Sequence, residues 1–322
     1  MAETVGIVIP AYNAERFIDR TLDAVRSQSR FPDEVVVVDD GSADKTAERV
    51  AEWSHRSGFS VKVIRQQNGG ASSARNAGIQ AASTDLIATL DADDIISPHH
   101  LATLKRGFEI EPELILCFAD ATVHSETGII RESFLRGSDI EQMEYEVKED
   151  LRVIRGSAFI GIVGGNRIPT SSTMFRRRVA LEAGLYDTKQ KQCNDTEFLL
   201  RLSRLGRFGY FDVPINAHQR HGTNLTHPRH RVANRKFRIQ MLRKMLNNRQ
   251  QLQLSAAAIL KTQTALDRAI QSLLTHAAGR GLLTYGRISL ELVRHGSLQP
   301  LAKPGNLLRA LRASTFSGHS AA

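Results

Sequence analysis

Hydrophobic and polar positions along the N-terminal third alternate in a way that predicts strands and helices in turn. Val5 to Pro10 is apolar and β-branched and reads as a strand. Ile18, Leu22 and Val25 then recur at i, i+4 and i+7, one face of a helix. Asn13 offers that helix an N-cap and Glu15 an acid in its first turn. Pro32 breaks the chain before a second strand, Glu34 to Asp39. Asp40-Gly41-Ser42 forms a turn, with Ser42 as a helix cap, and Ala43 to Ser57 is predicted helical with Ala47, Val50 and Ala51 on one face. A third strand, Val61 to Arg65, a loop at Asn68-Gly69-Gly70, a third helix, Ala71 to Ala82, and a fourth strand, Leu86 to Leu90, complete a βαβαβαβ alternation. Alternation of this kind implies an α/β fold with a parallel sheet covered by helices and right-handed crossovers.

After Pro98 the pattern changes. A helix over His99 to Glu109 leads to a strand, Leu114 to Ala119, and residues 120–170 read as loops with short strands. Arg177 to Ala183 predicts a short helix and Thr196 to Leu205 a stronger one. Beyond Pro228 the chain reads as helical to about His295, with Ile239, Leu242 and Leu246 at helical spacing, and Leu298 to Ala322 as loosely ordered. The expected organisation is a domain over 1–228, with halves 1–110 and 111–228, followed by a helical extension over 229–322.

Composition narrows the classes. At 41% hydrophobic and 24% charged residues, the 322-residue chain is globular, which excludes a collagen, a coiled coil or a disordered chain. No apolar run approaches the ~18–20 residues that cross a bilayer. Cys117 and Cys193 read as two reduced thiols, and the N-terminus lacks the basic segment of a signal peptide, so the expectation is a cytoplasmic protein. The net charge of +9 is unevenly placed. Residues 229–322 hold 16 Lys and Arg against Asp267 and Glu291, a net +14, which leaves −5 for residues 1–228. Such a tail is either a solvated basic face or a surface for anionic membrane. Nucleic acid is disfavoured, because one Tyr and two Phe are too few for a row of base-stacking aromatics.

In a doubly wound sheet, ligands bind outside the carboxyl ends of the strands. Those ends carry Pro10 to Asn13, Asp39 to Ser42, Asn68-Gly69-Gly70 and Asp91-Ala92-Asp93-Asp94. Extended backbone would point Asp91 and Asp93 to one side, where two carboxylates attract a hard divalent cation. The competing reading is a loop of turn-forming acids, and for Asp94 a turn or cap role is favoured. One carboxylate of Asp39-Asp40 either accepts from a base or ribose or belongs to a turn. Asn68-Gly69-Gly70 has neither the dinucleotide fingerprint nor the P-loop spacing.

The array resembles family 2 glycosyltransferases of the GT-A fold. The resemblance is carried by Ile9-Pro10-Ala11-Tyr12-Asn13, by Val38 to Thr46, by Asn68 to Gly78 and by Asp91 to Asp94. It continues more loosely through Ser172 to Arg177, Gly184-Leu185-Tyr186-Asp187 and Asn194 to Leu202, to about Thr226. It implies a nucleotide-diphosphate sugar donor, with UDP the expected nucleotide, a glycan or lipid-linked acceptor, and bacterial cell-surface polysaccharide chemistry that inverts the anomeric centre. By the same resemblance, Pro10, Tyr12, Asp40, Asn68 and Arg75 surround the nucleotide base and ribose, and Asp91 lies near the ribose and donor sugar. Asp93 binds Mg²⁺ or Mn²⁺, Asp195 is the general base, and His221 approaches the diphosphate and metal. Two positions depart from the family pattern: Asn194 stands where an acid usually precedes the base, and Gln219, with Arg220 beside it, where an Arg is usual. A sugar nucleotidyltransferase would show a longer Gly-rich loop with Arg after the first strand, which Pro10-Ala11-Tyr12-Asn13 is not. A non-catalytic nucleotide-sugar-binding scaffold would have no need of both Asp93 and Asp195.

Overall fold

The computed structural model describes residues 2–58, 60–125, 127–220, 230–294 and 304–317. The chain divides into two compact units, Met1–Asn224 and Leu225–Ala322.

In the first unit, β1 (Val5–Ala11), α1 (Ile18–Arg26), β2 (Glu34–Asp39), α2 (Thr46–Ser57), β3 (Lys62–Arg65), α3 (Ala71–Ala81) and β4 (Leu86–Thr89) follow the predicted alternation. Then come β5 (Ile95–Ile96), α4 (His100–Ile110), β6 (Leu114–Ser125), β7 (Gly128–Arg131), β8 (Tyr145–Lys148), β9 (Leu151–Ile154) and α5 (Phe159–Val163). The unit ends with β10 (Thr173–Arg176), α6 (Arg177–Glu182), α7 (Asn194–Leu202) and β11 (Arg207–Gln219). Among the described residues these strands form one mixed sheet in the order β3-β2-β1-β4-β10-β6-β11-β9-β8, with β5 on β11 and β7 on β6. The run β3-β2-β1-β4 is parallel, as the alternation requires. β10 then enters antiparallel between β4 and β6. The chain winds outward from β1 to β3 and returns to β4 on the other side of β1, so the strand order reverses at β1/β4. The crevice outside their carboxyl ends is where such sheets bind ligands.

The core explains why these segments became strands. Val5, Ile7, Val8 and Ile9 of β1 and Val35 to Val38 of β2 are buried, so nearly every side chain of each strand meets a covering layer. α3 lies so close that a Cβ on Gly78 would meet Val8 Cγ1 at 2.4 Å.

Two predicted helix starts are displaced. α1 begins at Ile18 after Phe17, and α2 at Thr46 after Lys45, neither with a side-chain cap. The polar residues that read as caps tie the loops after β1 and β2 together. Asn13, with φ 49°, accepts from Ala43 N at 2.9 Å, and its own N–H donates to Ser42 Oγ at 3.0 Å. Lys45 N donates to Glu15 at 3.1 Å.

The second unit is helical: α8 (Arg231–Asn247), α9 (Ala256–Ala278), α10 (Leu282–Arg294) and α11 (Pro304–Ser317). Ser255 caps α9 by accepting from Ala258 N at 3.2 Å. Its core contains Ile239, Leu242, Met245, Ile270, Leu273 and Leu274. The tail's predicted apolar stripe therefore faces its own core at Ile239 and Leu242. The expectation of loose order beyond Leu298 is corrected for residues 304–317, where α11 forms and buries Ala310. Among the described residues no helix is long and apolar enough to cross a membrane.

Candidate active site

The crevice is shaped first by Asp40. Its carboxylate is 2% exposed and accepts from Gly69 N at 2.9 Å, Gly70 N at 2.7 Å and Gln66 Nε2 at 2.6 Å. Gly41 makes that approach feasible: it has φ +75°, and a Cβ there would meet Asn68 N at 2.9 Å. Asp39 is buried and accepts from Ser42 N and Arg65 Nε, both at 3.1 Å. Both carboxylates of the pair are thus engaged by protein. Asp40 fixes the Asn68-Gly69-Gly70 loop, while Tyr12 and Asn68 stand exposed and Pro10 half-buried at the same strand ends.

The next group is built around Arg75 on α3, which is 5% exposed. Its Nη2 donates to Asp91 Oδ1 at 2.5 Å, and its guanidinium lies 5.4 Å from the centre of the Tyr186 ring. Burial alone would lower the arginine pKa, but the charges of Asp91 and Asp195 and the Tyr186 ring oppose it, and the net shift is upward. The same burial pushes the Tyr186 hydroxyl well above its ordinary range. The backbone of Tyr186 is pinned to α3 by Asn76, which donates to Tyr186 O and accepts from Tyr186 N, both at 2.8 Å. Asn194 Nδ2 donates to Ser72 Oγ at 2.9 Å. The glycine-loop helix therefore carries the segment leading into α7, and with it Asp195, to the Arg75–Asp91 pair.

Asp195 lies in the first turn of α7, where the dipole favours an anion. It does not cap the helix. That place belongs to Cys193, at φ 56°. The Asp195 carboxylate is half-buried, with Asn166 Nδ2 at 3.4 Å and Thr196 Oγ1 at 3.3 Å. Glu197, two residues further along α7, is fully buried and held by Arg201 Nε and Nη2 at 2.9 and 2.7 Å. It cannot substitute as a base facing the crevice.

The acids after β4 depart from the extended geometry expected of them. Asp94 N donates to Asp91 O at 3.1 Å, so Asp91 to Asp94 form a turn. Asp91 N donates to Ser171 Oγ at 3.0 Å. Asp94 is 1% exposed rather than a bland turn residue, and its Oδ1 lies 3.1 Å from His218 Nδ1 and accepts from Gln219 N at 3.0 Å. Burial opposes protonation of His218, but the Asp94 contact and the charges of Asp91 and Asp93 outweigh it and hold its pKa above the ordinary value. Sequence reasoning missed the Asp94–His218 pair because β11, which carries His218, had no legible signal. His221 lies outside the described residues.

Asp91 is engaged by Arg75, and Asp93 lies half-buried in the same turn. Among the described residues no group of three or more His, Cys, Asp or Glu side chains could hold a metal ion. The donor set fits a Mg²⁺-like ion that takes one or two protein carboxylates and completes its shell with water and substrate phosphates, rather than a protein cage.

The family model described as Glycosyl transferase family 2 matches residues 6–179. Among curated proteins, the chain is 39% identical over 97 residues to the uncharacterized glycosyltransferase EpsJ of Bacillus subtilis (strain 168), covering 30% of this chain and 28% of that protein. It is 26% identical over 186 residues to poly-beta-1,6-N-acetyl-D-glucosamine synthase of Staphylococcus aureus (strain COL), covering 58% of this chain and 42% of that protein. The chain thus spans less than half the length of these relatives. Among solved structures, S. aureus TarS 1-349 in complex with UDP superposes with a TM-score of 0.55 at 16% identity, covering 91% of this chain and 92% of that one. The complex of the same protein with UDP-GlcNAc gives the same TM-score of 0.55. At that identity the likeness is one of fold.

Proposed function

The chain belongs to glycosyl transferase family 2, and from that premise we propose that it moves a sugar from a nucleoside-diphosphate donor, UDP-linked, to a hydroxyl of a glycan or lipid-linked acceptor. The observation that carries this reading is the convergence of Asp195 with Arg75, Asp91 and Tyr186 beside the β1/β4 crevice. The UDP and UDP-GlcNAc complexes of TarS support a UDP-sugar, and the glucosamine-polymer synthase supports cell-surface polysaccharide as the product class.

In this reading Tyr12, Pro10 and Asn68 border the base and ribose, and Asp40 holds the loop that borders them. Asp195 accepts the proton of the attacking hydroxyl as that oxygen bonds to the anomeric carbon from the face opposite the diphosphate, so the centre inverts. A carboxylate is a weak base, yet positioned proton transfer contributes about 10²–10⁴-fold. Arg75 holds Asp91 in orientation. A divalent cation at Asp93, with His221 as the family's further ligand, would supply charge stabilisation for the departing diphosphate.

The basic helical unit suits the anionic inner face of a membrane, where a lipid-linked acceptor is presented. It exposes Leu283 at 90% and Leu308 at 59% beside its net +14. A thermal-shift panel of UDP-, GDP- and dTDP-sugars with Mn²⁺ tests the donor, because a ligand of the folded state alone raises apparent stability. A UDP-sugar should raise the midpoint, and EDTA should remove the rise. No shift with any nucleotide sugar would overturn the reading.

A further inference from the structure

The second unit contains a concave site unrelated to the sheet crevice. Arg235 of α8, with Ser272, Thr275, His276, Gly279 and Arg280 of α9 and the turn after it, lines a solvent-open hollow of about 460 Å³. Arg235 Nε donates to Ser272 Oγ at 2.9 Å, which ties the guanidinium to α9. Arg235 Nη1 and His276 Nε2 are shut off from solvent, yet neither has a hydrogen-bond partner among the described residues. A polar atom shut off from solvent without a partner costs free energy.

The charge here is uncompensated. Arg231 and Arg280 add their fields to that of Arg235. Burial, then Arg235, Arg280 and Arg231, push the His276 pKa below its ordinary value. The only acids of residues 229–322 are occupied elsewhere: Lys236 holds Glu291 at 2.6 Å, and Asp267 accepts from Gln263 Nε2 at 3.1 Å. No ion pair joins either acid to Arg231, Arg235 or Arg280 among the described residues. A solvated basic face would have its cations splayed into water. Here Arg235 and Arg280 line one hollow with Ser272, His276 and Thr275, whose hydroxyl donates to Asn306 Oδ1 at 3.4 Å.

We propose that this hollow is a binding site for a phosphate monoester. Two guanidinium forks supply the bidentate donors that suit phosphoryl oxygens, and the Ser272 and Thr275 hydroxyls with the His276 ring supply shorter-range partners. The volume lies within the ~300–1,000 Å³ of small-molecule sites, so the phosphoryl group carries an organic substituent. That chemistry occurs both in soluble phosphate esters and in lipid headgroups. The site stands independently of the catalytic reading.

The test is calorimetric titration of the full chain with glycerol 3-phosphate in EDTA, with glycerol as control. Two charge-matched variants accompany it: Arg235→Gln/Arg280→Gln at the site, and Arg249→Gln/Arg294→Gln beyond the end of α8 and at the end of α10. The wild type should bind one glycerol 3-phosphate and no glycerol. The site variant should bind at least tenfold more weakly, and the control variant as the wild type does. Should the double variant fold poorly, as judged by its unfolding midpoint, Arg280→Gln alone, at an exposed position, serves instead. Phosphatidic acid vesicles identify the source: capture lost in the site variant but kept in the control assigns the lipid, and equal capture assigns a soluble ester. Absence of phosphate-dependent binding, or equal weakening in both variants, overturns the proposal, because diffuse charge alone would then account for the patch.

Discussion

Asp40 and Asp93 illustrate how differently two acids at strand ends behave. Asp40 is buried against two backbone amides, so Asp40→Ala leaves those donors without partners at a cost of about 1–3 kcal/mol. The expected outcome is a lower urea midpoint together with donor affinity weakened about tenfold, which is about 1.4 kcal/mol. Unchanged donor affinity in a folded Asp40→Ala would show that the Asn68 loop does not border the nucleotide. Asp93→Ala should instead leave the unfolding midpoint near that of the parent and abolish turnover, as EDTA should for the parent. Full turnover in metal-free buffer would contradict the cation's role. The positions of Asp91 and Asp93 were legible in the sequence because motif and strand end coincide, and that of Asp195 through the family resemblance. Asp40's inward orientation and the Asp94–His218 pair were not. Each depends on a partner more than twenty residues away, or on which side of a turn a side chain leaves, and periodicity reports neither.

At the scale of elements, the first four strands and their helices were readable because every one carries a clear apolar period. β10 and β11 were not. β10 is four residues squeezed between the Thr170–Ser172 turn and α6, and β11 carries Pro214, with register shifts against β6 on either side of it. Tertiary pairing, not local pattern, makes them strands. α3 sits on β1 through Gly78, and Gly78→Ala should destabilise the fold by about 1–3 kcal/mol by overpacking against Val8. Chemical denaturation measures this, and a loss below a few tenths of a kcal/mol would contradict such close packing.

α4 carries a pH-dependent element. His100 in its first turn is fully buried, with Nδ1 at 3.3 Å from Ile215 O, and burial pushes its pKa down to about 4 from an ordinary 6.5. Between those values the unfolded chain binds a proton that the folded chain does not, so stability falls as pH drops through the window. At about 1.4 kcal/mol per unit the full loss is on the order of 3 kcal/mol. Denaturation at pH 7 and pH 4.5 should show this loss in the parent and a smaller one in His100→Gln. Parallel pH dependence in the two would contradict it.

On the scale of the whole molecule, an acidic catalytic unit is followed by a strongly basic helical one. The charge division was legible from composition alone. The leucines exposed on the second unit were not, because the residues at helical spacing, Ile239 and Leu242, turn inward. Basic residues near an anionic surface contribute about 1 kcal/mol each, screened by salt. The full chain should therefore sediment with anionic vesicles at low salt, less at high salt, and little with neutral vesicles. Equal sedimentation with both vesicle types would leave the basic unit as a solvated face. The central claim concerns the other unit, that the Asp195 carboxylate takes the proton when the donor sugar is transferred. It is tested most directly by donor turnover and donor affinity measured together for the parent and Asp195→Asn, using the UDP-sugar that gives the largest thermal shift. Because Cys193 and not Asp195 occupies the N-cap of α7, the amide should leave the fold and donor affinity within about twofold of the parent, while turnover falls by about 10²–10⁴-fold. Turnover near the parent rate in a folded, donor-binding Asp195→Asn would contradict the account.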